Sequence, residues 1–457
     1  MPQIPRLPAK PQYLPFDTGL DFFTLFGRIE AACKSCFLLE SMGDQGYDSR
    51  YSVIGFNPDF DFVAGPQSVA IRSASGTETV KTANPYYYLR EILPRDVLTR
   101  NYAGGLVGYL GYDAANFFEP TLGLAAHADF PPYQMGLYTD GLIHDKMTGE
   151  TTYFYFLNDR RKEIEAAAAV PRPQGTTRAE VLRQSKSQDQ HRVMVEAAKH
   201  EIIEGNTFQV QIGFTEEYRV SGDWLNIYAS LRNINPSPHM FFMKFFDGEK
   251  TRRLIGASPE LLYRQRQGEM ESFPLAGTAR RGKTPEEDQE LVRALLNDPK
   301  EIAEHNMLVD LHRNDLGRVA RYGSVKVRRI FDIKKFSHVQ HISSEVVGLI
   351  DYKEDMFTAL ASSFPAGTLS GAPKIESMKI IDRIEQEPRG PYGGAVGHFG
   401  FNGDSTFAIP IRTIFCVEDR AFIRASGGVV YDSTAAGEYQ EIQNKMAAVK
   451  KALAEYL

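Results

Sequence analysis

The chain has 457 residues, enough for two or three structural units at about 150 residues each, and its 42% hydrophobic and 24% charged residues are those of a soluble globular protein. This excludes collagen-like, disordered and staple-dependent miniature folds. With 52 Lys plus Arg against 58 Asp plus Glu, the net charge of −6 argues against nucleic acid as a partner.

At the N-terminus, five prolines among the first twenty residues leave no room for the apolar segment of a signal peptide, and nowhere do about 18 apolar residues run together. A cytoplasmic protein with no membrane partner is expected. Cys33, Cys36 and Cys416 form no disulfide framework, and Cys33-x-x-Cys36 has no second pair to complete a zinc site. Free thiols are expected, because Phe37-Leu38-Leu39 reads as a strand entering a core rather than as part of a redox motif. From Phe22 to Tyr155, short apolar runs broken at Gly43-Asp44, Asn57-Pro58 and Gly104-Gly105 predict a mainly β unit. A helix near Asp159 to Ala168 follows. The domain division is therefore 1–170, a polar linker at 171–186, and 187–457.

Ser187 starts a helix that stops at Gly205. Beyond it, Phe208, Val210, Ile212 and Phe214 alternate with Gln209, Gln211 and Gly213, so a strand places both glutamines on one face, either toward solvent or lining a polar cavity. Thr284-Pro285-Glu286-Glu287 and Asp298-Pro299-Lys300-Glu301 each open a helix, the second running toward Arg318. Tyr439, Ile442, Met446, Val449 and Leu453 stripe a terminal helix.

These last two helices both carry Glu-x-x-Glu, at Glu301/Glu304 and Glu438/Glu441. Carboxylates at i and i+3 share a helix face, and two such pairs would suit Mg²⁺; equally, Glu301 fits a helix cap and Glu441 with Lys445 an ordinary surface pair. Pro365 to Lys374 is glycine-rich but lacks the Gly-Lys-Ser/Thr ending of a phosphate loop. His338 and His341 fall on opposite faces of a strand and cannot chelate one ion together.

Asp310-Leu-His-Arg-Asn-Asp-Leu-Gly-Arg318, the Pro365–Lys374 loop, Ile411-Arg412-Thr413, and Asp432-Ser433 with Glu438-x-x-Glu441 together resemble the chorismate-utilising enzymes, from Ser187 to the C-terminus. The N-terminal half resembles the matching domain of the anthranilate synthase component I branch. The resemblance implies an α/β fold of α+β type: two antiparallel sheets packed as a sandwich, with helices outside. It further implies that Glu304 and Glu441 ligate Mg²⁺, with Glu301 and Glu438 acting through water, to hold the ring carboxylate of chorismate. Arg412, Tyr392, Gly427, Gly428 and Lys445 match the enolpyruvyl side of the site. Glu260 matches the general acid for the C4 hydroxyl and His341 a proton carrier, with Gln340 where methionine is usual. Gly277, Thr278 and Thr368 match positioning residues.

Within the family, water-adding members have a lysine base at the position of Gln209, and many aminodeoxychorismate synthases have a lysine at that of Ala276. Ammonia needs neither. This pair points to the anthranilate synthase branch; an aminodeoxychorismate synthase lacking the lysine is the alternative, and a non-catalytic tryptophan-binding regulator a remote one. None of the cysteines sits on a glycine-flanked nucleophile turn, so ammonia is expected from a separate glutamine amidotransferase subunit, component II, in a hetero-oligomer. Leu38-Leu39-Glu40-Ser41 and Asn235-Pro236-Ser237-Pro238-His239-Met240 resemble the branch's tryptophan-binding elements, which implies feedback inhibition by L-tryptophan. His239 replaces the usual tyrosine there, and His398 stands where an aromatic is common.

Overall fold

Along the His239–Phe246 strand successive side chains enter different cores: Phe241, Met243 and Phe245 pack into one, Met240 and Phe242 into the other. The strand is thus buried on both faces, between a second sheet and a helical layer. The computed structural model describes residues 4–42, 49–173, 175–335 and 339–457, without the Val339 side chain. The Gly43-Asp44 turn and His338 lie outside the described residues.

Among the described residues there are two twelve-stranded sheets, and the paired strands run antiparallel. Phe62, Leu106, Tyr109 and Tyr138 of one sheet meet Phe37, Phe241, Leu254 and Phe415 of the other in the main core. On the outer face, Phe26, Ile227, Tyr228, Met446 and Val449 cover Leu38, Phe242, Ile255 and Ile423. This is the expected sandwich with helices outside. Each fully buried Phe or Leu contributes about 1.5–3 kcal/mol. A third, smaller core packs Met194, Val195, Ile380 and Ile381 onto Val210, Ile212 and Val429.

The helix starts follow their sequence signals. Ser187, Thr284, Asp298 and Thr434 cap the Gln188–Ile203, Pro285–Leu296, Pro299–Gly317 and Ala435–Ala454 helices through side-chain oxygens. Gly205 takes the left-handed conformation at φ +79°. The three cysteines are free. No helix among the described residues is long and apolar enough to cross a membrane.

Two expectations need correction. Within the stretch read as linker, Thr177–Gln184 is an edge strand paired antiparallel with Gln209–Gly222. Its polar composition suits an edge, where side chains meet water while backbone groups are satisfied by the ladder. Phe208 is not part of the buried alternation: it is 72% exposed, one residue before the strand. The sheets also draw on both halves of the chain, since Cys36–Glu40 pairs with His239–Phe246 and Gly105–Leu110 with Ala395–Gly400.

Candidate active site

Val210 and Ile212 point into the small core, so Gln209 and Gln211 must face the other way, and there both are buried. That face is therefore turned away from solvent, and Gln211 Oε1 accepts there from the Ser426 hydroxyl. The neighbouring Arg420–Val429 strand runs antiparallel with Gln211 opposite Gly428, and a Cβ on Gly428 would lie 2.6 Å from Gln209 Nε2 and 2.9 Å from Gln211 Nε2. Any side chain there would have to displace both amides. Gly427 is confined in the same way, since its Cβ would meet Glu438 Oε2 at 2.4 Å.

The Pro365–Lys374 loop closes one wall. Gly371–Ala372 pairs with Gln209 and Val210, and Lys374 Nζ reaches Asp315 at 2.8 Å, tying the loop to the end of the Pro299–Gly317 helix. The loop presents Thr368, whose hydroxyl donates to Glu260 Oε1 at 2.7 Å. Burial pushes the Glu260 carboxyl up to about 7, against the opposing effects of Thr368, Lys445 and Arg412. A carboxyl so placed holds a proton near neutral pH.

Arg412, at φ +50°, is half-buried near Glu260, and desolvation lowers its pKa while Glu260 opposes. His341, on the Val339–Leu349 strand, has Nδ1 at 3.2 Å from the Gly277 carbonyl and 3.0 Å from Thr278 Oγ1. Burial first, and then the Arg412 charge, lowers its pKa to about 4, so the ring is neutral at pH 7. Tyr392 Oη lies 2.9 Å from Ser426 Oγ, and Lys445 Nζ donates to the Ser426 carbonyl at 2.9 Å.

The four glutamates lie near enough to feel one another's charge. Burial raises the pKa of Glu301, Glu304 and Glu438, and Glu441 adds to the rise in all three by repulsion. A Cβ on Gly277 would lie 3.0 Å from Glu301 Oε2. Glu438 Oε1 accepts from Ser433 at 2.7 Å, while its buried Oε2 has no hydrogen-bond partner. Orphaned carboxylate oxygens and mutual repulsion are what a hard divalent cation relieves, so the donor set fits Mg²⁺. Among the described residues no group of three or more such side chains is already arranged as a metal site, and Glu441 is held by Lys445 at 2.6 Å. Coordination would draw it from that lysine.

The family model for chorismate binding enzymes matches residues 34–451. The chain belongs to the chorismate binding enzyme family. Among curated relatives, anthranilate synthase component 1 of Leptospira biflexa is 54% identical, covering 99% of this chain and 98% of its own. That of Methanothermobacter thermautotrophicus is 41% identical, covering 94% and 92%. Among solved structures, anthranilate synthase component I from Streptococcus pneumoniae superposes with a TM-score of 0.78 at 29% identity, covering 89% of this chain and 93% of that one. Within the chorismate binding family the chain therefore falls with the anthranilate synthase component 1 members.

The cleft of this chorismate binding enzyme holds groups that sequence reading missed. Ser426 joins Tyr392, Gln211 and Lys445, and only the adjoining Gly427-Gly428 hinted at it. Arg389 donates to the carbonyls of Leu369 at 2.6 Å and Gln211 at 2.9 Å, bolting the loop to the strand. Glu385 pairs with both Arg389 and Arg424. Burial opposes its ionisation, but the two guanidiniums outweigh it and hold the carboxyl below the ordinary range.

The segments compared with tryptophan-binding elements also converge, because Met240 pairs with Glu40 and Phe241 with Leu39. Leu39, Glu40, Ser41, Pro238 and Met240 line a separate cavity of about 210 Å³, together with His239 and His398. Asn235, Pro236 and Ser237 do not line it; Ser237 instead accepts the Met42 amide at 2.9 Å. Within the cavity wall Glu40 is bound to Arg232 at 2.8 Å, and His398 stacks edge-on against Tyr102 at 4.8 Å.

Proposed function

We propose that this chain converts chorismate and ammonia to anthranilate and pyruvate, with Mg²⁺ at the four glutamates and ammonia delivered by a separate glutaminase subunit. The observation that carries the reading is a carboxyl that keeps its proton near pH 7, Glu260, in a chain that has Gln209 and Ala276, neither of them a base, at the positions matched to the lysines of the other branches. A carboxamide cannot deprotonate water, whereas ammonia attacks unaided.

In this reading ammonia adds at C2 of the ring as the C4–O bond breaks. Glu260 gives its proton to the departing hydroxyl, which leaves as water. Arg412 and Tyr392 hold the enolpyruvyl carboxylate, and backbone groups at Gly427 and Gly428 line that side. The second stage breaks the bond between the ring and the enolpyruvyl oxygen, and the ring proton lost on aromatisation passes to a base. His341 suits that role because it is neutral and its Nδ1 faces the Gly277 carbonyl, which orients Nε2 as the acceptor. When bound, Mg²⁺ supplies positive charge for the ring carboxylate within an acidic wall.

The cavity beside Ser41 and Met240 is the place where L-tryptophan would inhibit. The deciding assay supplies chorismate, Mg²⁺ and an ammonium salt and identifies the product by mass. Anthranilate is expected; 4-amino-4-deoxychorismate, isochorismate or salicylate would overturn the reading.

A further inference from the structure

A glutamine that the reaction does not consume lies within the cleft. Gln211 is buried, and its backbone is fixed on both sides: its N–H donates to the Ser370 carbonyl at 3.1 Å and its carbonyl accepts from Arg389 at 2.9 Å. Its amide oxygen accepts the Ser426 hydroxyl at 3.1 Å, and Ser426 Oγ lies 2.9 Å from the Tyr392 hydroxyl. We propose that Gln211 is a positioning residue whose amide, acting through Ser426, sets whether the Tyr392 hydroxyl donates into the cleft. This rests on the reading that Tyr392 and Arg412 hold the enolpyruvyl carboxylate.

The argument is one of proton direction. A hydroxyl has a single proton to donate. While Gln211 presents its oxygen, Ser426 donates to it, so Tyr392 must donate to Ser426 and turns a lone pair toward the cleft. A carboxylate is acceptor-only and gains nothing from that lone pair. Turning the Gln211 amide by half a revolution reverses the chain: its NH₂ donates to Ser426, Ser426 donates to Tyr392, and the tyrosine proton is released for the carboxylate.

Gly428 leaves room beside the two amides: Gln209 Nε2 and Gln211 Nε2 come within 2.6 Å and 2.9 Å of where a Cβ would stand, so a side chain at this position would press on the Gln211 amide.

The test is a set of double-mutant cycles read by calorimetric titration of chorismate, with Mg²⁺ present and ammonia absent, using Gln211→Met, Ser426→Ala and Tyr392→Phe. Tyr392→Phe should weaken chorismate about tenfold, the cost of one lost hydrogen bond to a charged group, whereas Gln211→Met and Ser426→Ala each remove an acceptor that holds the tyrosine proton inside the chain and should tighten chorismate. In the Tyr392→Phe background neither change should alter the affinity, because both act only through the tyrosine proton. Ser426→Ala with Tyr392→Phe provides the cycle if Gln211→Met does not fold. Weaker or unchanged binding in the Gln211→Met protein, or an effect that persists in the Tyr392→Phe background, would overturn the proposal, since a residue that merely fills space shows no coupling to Tyr392. The titration reads binding without turnover, so whether the wild type forms anthranilate judges the functional reading separately.

Discussion

The Thr368 hydroxyl donates to Glu260 Oε1 at 2.7 Å, and although that bond favours the carboxylate, burial outweighs it and leaves Glu260 titrating at about 7. The two residues come from segments more than a hundred positions apart, joined only because the Pro365–Lys374 loop docks on the glutamine-bearing strand. A proton donor for a neutral-pH reaction is made by that docking.

Glu260 therefore governs the pH profile. Its protonated form is the working one, so kcat/KM for chorismate, at fixed free ammonia, should fall as pH rises through about 7. Thr368→Val removes a bond to the charged form and should move the limb upward. Glu260→Gln should cost about 10²-fold or more in kcat with chorismate binding largely retained. A near-normal kcat in this variant would assign the proton to another group.

The same shift bears on stability. The folded pKa of about 7 lies above the ordinary 4.5, so the contribution of Glu260 is fully present below 4.5 and is lost as pH rises through 7. The loss is about 3 kcal/mol by linkage. Urea unfolding of the wild type against Glu260→Gln should show the gap shifting in favour of the variant across that window; parallel curves would contradict the buried titration.

Mg²⁺ binding should compete with protons. The carboxyls of Glu301, Glu304 and Glu438 are all raised, and a metal needs them ionised, so affinity should increase as pH rises through their titration, with protons released on binding. Calorimetry in buffers of different ionisation enthalpy measures that release. Glu304→Gln and Glu441→Gln should each abolish Mg²⁺-dependent turnover, and an unchanged rate would remove that residue from the metal set.

Purified alone, the chain should use ammonium salts but not glutamine, because none of its cysteines is placed as a glutaminase nucleophile: burial raises Cys33 to about 11 and pushes Cys36 higher still. Glutamine-dependent activity without a second protein would contradict this. Tryptophan, if it binds beside Ser41 and Met240, should weaken chorismate by the same factor by which chorismate weakens tryptophan. Titration of each ligand with and without the other reads both factors, and independence would make the cavity plain scaffold.

Glu385→Gln should destabilise the fold by about 3–5 kcal/mol, because it leaves Arg389 and Arg424 buried with only Glu387, 3.5 Å from Arg424, as counter-charge. Urea denaturation checks this. A change within error would mean that the carbonyls of Leu369 and Gln211 suffice for Arg389.

Much of this molecule was legible locally. Caps at Ser187, Thr284 and Asp298 act within one turn, the glutamate pairs lie on single helices, and Gln209 alternates with apolar neighbours within one strand; such features depend on residues only a few positions apart. Resemblance then supplied roles that spacing alone left open. What only the tertiary structure decided depends on distant partners. Thr177–Gln184 is polar enough to pass for a linker until the Gln209–Gly222 strand offers it a ladder. Leu39 and Met240 share a cavity because their strands pair, while Asn235 to Ser237, adjacent in sequence, turn away from it. Ser426 carries no signal of its own, and its importance comes from Tyr392, Gln211 and Lys445 arriving from three other elements. The proton on Glu260 is likewise a property of burial, which no stretch of sequence contains, because desolvation is set by everything packed around the group rather than by its neighbours along the chain.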